Sequence, residues 1–157
     1  MKVVFTKGSG KYGYLKCIRT DDSTTETQMP EQGIAPHDMI HFIVEKTLGF
    51  EGAFYGQLKA GANISFTMEH NETSRSAYNS IETWQTESIV ESLQSLLWSS
   101  SFEYDDFSYL VNEACASRKL TKPVISEIAF NAIKEKLLTM NKQWQSLTKG
   151  ESVCEVF

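Results

Sequence analysis

Two histidines stand four residues apart in the stretch Pro36-His37-Asp38-Met39-Ile40-His41-Phe42-Ile43-Val44-Glu45. On an α-helix, residues at i and i+4 lie within about 40° of each other, so both imidazoles project from one side. Neutral imidazole is a good ligand for zinc and related divalent cations, and His37-Asp38-x-x-His41 has the spacing of the His-Glu-x-x-His zinc-peptidase motif. In that motif the intervening carboxylate activates the metal-bound water. Asp38 occupies that position here, one methylene shorter than glutamate. Glu45 continues the row, but eight helical residues span about 12 Å, too far for His37 and Glu45 to bind one ion at about 2 Å. The expected role of Glu45 is to accept a hydrogen bond from His41 and fix the tautomer of its ring. A third ligand must come from elsewhere, and His70, in Met68-Glu69-His70-Asn71-Glu72, is the remaining histidine of the chain. The residues that could carry chemistry are therefore Asp38 and Glu45 as acid–base and positioning groups, and His37, His41 and His70 as ligands of zinc or a similar divalent metal.

The same residues also make an ordinary helix border. Asp38 in a first turn interacts well with the helix dipole, and a His41–Glu45 pair at i,i+4 contributes roughly 0.2–0.5 kcal/mol. His37 then simply hydrogen-bonds a neighbouring segment. The other chemical candidates are weaker. Gly8-Ser9-Gly10-Lys11 lacks the earlier glycine and the following hydroxyl residue of a phosphate-binding loop, since Phe5 and Tyr12 fill those places. Cys17 falls in a strand pattern, Cys115 on an apolar helix face and Cys154 near the end, none beside a base. Trp84 and Trp144 fall at helical spacing and read as core, with Trp98 open; Glu103, Asp105 and Asp106 read as a solvated helix start.

The segment Gly33 to Glu45, followed by Leu48-Gly49-Phe50 and Phe54-Tyr55-Gly56, resembles a family of small bacterial proteins with a Pro-His-Asp-Leu-x-His-x-x-Val-Glu helix. The likeness covers about residues 30–61, with Met39 where leucine is usual, a volume-conserving exchange. It implies a strand-rich start leading into the helix and then into a glycine- and aromatic-containing turn. It also implies a shared His-Asp-His-Glu seam, and it carries no assigned activity.

The elements that position these groups follow from periodicity. Alternation bounded by turn residues predicts strands at Lys2 to Thr6, Tyr12 to Thr20 and Thr24 to Met29, the last polar enough for an edge. From Pro36 the period becomes helical, with Ile40, Ile43, Val44 and Leu48 as the apolar stripe, Gly49 as the stop, and Asp38 and Glu45 further round toward solvent. A short helix about Gly52 to Ala60 follows, then a polar connection from Asn63 to Ser80 with one brief strand at Ile64 to Met68. Three amphipathic helices fill residues 81–148, the last with a stripe including Ile125, Ile128, Ala129, Ile133, Leu137, Met140 and Trp144 and a start marked by Thr121 and Pro123. Residues 151–157 read as a loosely held tail. The expected fold is a single α+β domain: an antiparallel meander of about three strands (1–30), a histidine-bearing helix and a short helix (36–60), then the three helices.

With 157 residues, the chain suits one domain with one core. Its net charge of −5 and scattered basic residues argue against a nucleic-acid surface. Three unpaired, widely spaced cysteines fit a reduced cytoplasmic protein, and no run is long and apolar enough for a membrane span. Apolar surface left over on the C-terminal helices would serve a homodimer. Two functions are compatible with this sequence: a protein- or small-molecule-binding domain without assignable catalysis, and a divalent-metal hydrolase built on the His37–His41 helix.

Overall fold

The computed structural model describes residues 1–67, 81–99 and 101–157. The fold is α+β and opens with the expected meander: β1 (Lys2–Thr6), β2 (Tyr12–Ile18) and β3 (Thr24–Pro30), paired antiparallel in chain order. Because successive strand residues face opposite sides, Val3, Phe5, Leu15, Cys17 and Met29 are fully buried while Tyr12 and Tyr14 are exposed. The Gly8 loop is the hairpin between β1 and β2. A Cβ at Gly8 would lie 1.7 Å from the Tyr12 carbonyl oxygen, and the Gly8 N–H donates to Glu31 Oε1 at 2.7 Å. Its amide is therefore committed within the protein, as a turn requires.

The sheet has four strands, in the order β3-β2-β1-β4, and the fourth corrects the reading of the C-terminal segment. Residues Ser152–Val156 form β4, antiparallel to β1 with Phe5 opposite Val153. The pairing gives the second edge of β1 its hydrogen bonds. Val153 is buried beneath the sheet, and Phe157 packs its ring 5.9 Å from Phe42 and 5.5 Å from Tyr55. Five residues are too short for periodicity to reveal, but Val153 among them enters the core. β3 lies at the opposite edge, as its polar composition suggested.

The helical part comprises α1 (His37–Leu48), α2 (Phe54–Lys59), a 3₁₀ turn (Ile64–Thr67), α3 (Ile81–Ser99), α4 (Tyr104–Ser117) and α5 (Glu127–Ser146), and α1 meets the sheet where the Phe42 ring lies 6.0 Å from that of Phe5. The 3₁₀ turn replaces the brief strand expected there; Ile64 N–H donates to Thr25 Oγ1 at 2.8 Å, tying the turn to the edge of β3 instead of extending the sheet. α1 is the central helix, in contact with α2, α3 and α5. It therefore buries Met39, His41, Phe42 and Glu45 as well as Ile40, Ile43 and Val44 of its apolar stripe, and Glu45 is wholly enclosed where the helical pattern placed it toward solvent.

α5 begins at Glu127, later than the Thr121 and Pro123 signals, because Ser126 is the N-cap and its Oγ accepts from Ala129 N–H at 3.1 Å. That rotates the buried face onto Phe130, Ile133, Leu137, Met140 and Trp144 and leaves Ile128 in solvent. Trp84 likewise lies at the surface of α3, whereas Trp144 is fully buried. No helix among the described residues is long and apolar enough to cross a membrane.

Candidate metal centre

Helix α1 is preceded by Pro36 in the N-cap position, with a non-helical ψ of 152°, and is closed by Gly49 at φ 70°, a left-handed conformation that glycine adopts without strain. Between them His37 and His41 stack one turn apart, their ring centroids separated by 4.8 Å and their planes inclined at 62°. The rings meet tip to tip: His37 Nε2 and His41 Nε2 are 3.1 Å apart.

The other nitrogen of each ring is held by an oxygen. His41 Nδ1 lies 3.1 Å from Glu45 Oε1, and His37 Nδ1 lies 3.3 Å from Gln94 Oε1. A carboxylate and an amide oxygen are both acceptors, so each Nδ1 carries a proton, and a ring in its neutral form then keeps the lone pair on Nε2. Gln94 is oriented in turn by donating from Nε2 to Gln32 Oε1 at 3.0 Å.

The group that completes the constellation is Glu87, on α3. Its Oε2 is 3.4 Å from His37 Nε2 and its Oε1 is 3.3 Å from His41 Nε2. His37, His41 and Glu87 are the residues among those described that bring one ligand atom each within 4.8 Å of one another. Each Glu87 oxygen faces a different ring, and the two Nε2 atoms are 3.1 Å apart, close to the roughly 3.3 Å that separates donors lying about 2.0–2.1 Å from a tetrahedral zinc. His70 lies outside the described residues.

Glu45 lies outside the converging ligand atoms and is bound to the frame. Its Oε2 accepts from Tyr55 N–H at 2.7 Å and from Gly56 N–H at 3.4 Å, both in the first turn of α2. It thus satisfies free amides at the start of one helix while orienting a side chain on another. Gly56 is required there, because a Cβ would sit 2.1 Å from the Glu51 carbonyl oxygen. Tyr55, fully buried, donates from its hydroxyl to the Asp38 carbonyl at 2.9 Å and pins the first turn of α1.

The electrostatics follow from burial opposed by close partners. Burial alone would lower the His41 pKa, yet hydrogen bonds to Glu45 and Glu87, with their charges, raise it to about 9. Burial pulls the Glu87 carboxyl upward, but hydrogen bonds from His37 and His41 and the charges of both hold it well below the ordinary carboxylate range. Burial pushes the Glu45 carboxyl up against the opposing effects of His41 and of the Tyr55 and Gly56 amides. Since N–H donors face both of its oxygens, the ionised carboxylate is the form that satisfies them all. Asp38 is half-buried beside the cluster; burial raises its carboxyl, with His41 and His37 acting the other way. Its oxygens are outside the group of converging ligand atoms.

Sequence reasoning passed over Glu87 and Gln94. The readable sign was on α3, where Thr83, Glu87, Val90, Gln94 and Leu97 share one stripe and Thr83, Val90 and Leu97 are buried. Polar residues set into a buried stripe require partners. Which helix supplies them, across some fifty residues of chain, is a matter of tertiary structure. No protein-family model matches this chain, and none of the curated proteins or solved structures compared with it does either.

Proposed function

We propose that this protein is a divalent-metal-binding domain with His37 and His41, through Nε2, and Glu87 as ligands. The observation that carries this reading is the commitment of both Nδ1 positions to oxygen acceptors, which turns the two Nε2 atoms toward each other at 3.1 Å and, in the neutral rings, makes both of them lone-pair donors. Two lone pairs in that position repel unless a cation lies between them. A proton is the smallest such cation and zinc is the other one that this donor set fits; two imidazoles and one carboxylate are the ligands of hydrolytic zinc centres. When bound, such a metal supplies Lewis acidity toward a carbonyl or phosphoryl oxygen and acidifies coordinated water. The chain's own part would be to hold two tautomers fixed and to place Asp38 alongside. Metal-assisted hydrolysis is the reaction class this supports.

The competing reading, a binding domain without catalysis, is favoured by the fact that a proton on His41 already satisfies Glu45 and Glu87. Elemental analysis of protein purified without a metal-affinity tag separates the two. Near-stoichiometric zinc, or a similar metal, is expected in the wild type, with loss in His37→Ala and Glu87→Gln. Wild-type protein that is metal-free and does not take up Zn²⁺ in excess would leave the proton-bridged cluster as a structural feature.

A further inference from the structure

Resting on that metal reading, we infer that the centre is open: the bound ion keeps at least one position for a small anionic ligand from solution, on the side of His37 and Glu87. Zinc and cobalt require four or more donors, and three are supplied by the described residues. The polar side chains that hold these ligands are already engaged elsewhere. Glu45 spends one oxygen on His41 and the other on the α2 amides, and Gln94 is fixed between His37 and Gln32. Neither can swing to the ion without releasing the ligand it orients.

Access is asymmetric. The His41 side chain is 5% exposed, whereas His37 is 38% and Glu87 27% exposed. The three donors therefore span the boundary between core and solvent, and the further coordination positions of a bound ion would face outward past the two accessible ligands. Inward it is closed by the α1–α2 junction, where Phe54 lies 6.0 Å from the His41 ring. Charge selects the class of incoming ligand. Two neutral imidazoles and one carboxylate leave a divalent ion with a residual positive charge, which favours an anionic oxygen or nitrogen donor such as a carboxylate, a hydroxamate or azide.

The test uses the whole chain loaded with Co²⁺, whose visible bands report coordination number and donor type. Titration with azide, and separately with acetohydroxamate, should change the bands saturably with the cobalt still bound, as checked by elemental analysis after desalting. The two anions should compete. Stoichiometric cobalt with bands that neither anion moves would mean a closed site, overturning the inference while leaving the metal reading intact. Failure to bind cobalt or zinc at all would overturn both.

Discussion

At the scale of single residues, the centre is governed by what surrounds His41. Its imidazole is buried between Glu45 and Glu87, and its pKa rises from 6.5 to about 9. The folded protein thus holds this proton more tightly than the unfolded chain. In metal-free protein that stabilisation is complete below the unfolded value and is lost as pH rises through about 9. Urea denaturation in the presence of a chelator, from about pH 6 to about pH 10, should show stability falling across this interval. Glu87→Gln removes one of the two charges and should flatten the slope. Metal and proton compete for the same Nε2, so zinc affinity should increase with pH through the same range and zinc binding should release protons, measurable in weakly buffered solution. Affinity independent of pH would place the metal elsewhere. Much of this was legible in advance: a histidine pair at i,i+4 followed by glutamate at the next i+4 prescribes the row, and His41 does meet Glu45. The depth of burial was not, because α1 shows an apolar stripe of ordinary width while α2, α3 and α5 surround it on more than one side.

At the scale of elements, Glu45 joins two helices and one imidazole of the candidate site. Through Oε2 it holds the first-turn amides of α2, and through Oε1 it fixes His41 on α1. Glu45→Gln keeps the shape and an acceptor oxygen but loses the charge. It should lower zinc affinity about 10–100-fold, the usual effect of altering a group that orients a ligand histidine. It should also cost the fold about 1–2 kcal/mol, since hydrogen bonds to a charged acceptor are replaced by neutral ones. Competition with a chromophoric chelator and urea denaturation measure the two separately. Lost stability with unchanged zinc affinity would make Glu45 a strut for α2 and nothing more. The sequence could announce the α1 partner four residues away. It could not announce the α2 amides, because backbone donors leave no signature in residue type. The same limit hid Ser126: the sequence marks the start of the last helix by Thr121 and Pro123, whereas Tyr104 Oη donates to the Ile125 carbonyl at 2.7 Å, holding that residue in the approach to a helix capped by Ser126.

At the scale of the whole molecule, one core is closed by the two ends of the chain. β1 is central in the sheet only because β4 returns to pair with it, and Phe157 N–H donates to the Met1 carbonyl at 2.9 Å. Such long-range pairing is what periodicity cannot see; the N-terminal meander, whose partners are consecutive, was readable from its turns. The three cysteines test the closure as a unit. Cys17 lies on the buried face of β2, where burial pushes its thiol up to about 12, and Cys115 is 1% exposed on the inner face of α4. Cys154 is exposed on β4, next to the buried Val153. In a strand a slip of one residue exchanges the two faces, so a displaced β4 would turn Val153 outward and Cys154 into the core. An aromatic disulfide reagent should therefore modify one thiol rapidly in native protein and three after denaturation, and Cys154→Ser should abolish the rapid phase. A native protein with no fast thiol would mean that β4 pairs in the other register. Two or three fast thiols would mean that the sheet or the α4 face opens readily, and that the frame holding α1 is looser than its packing indicates.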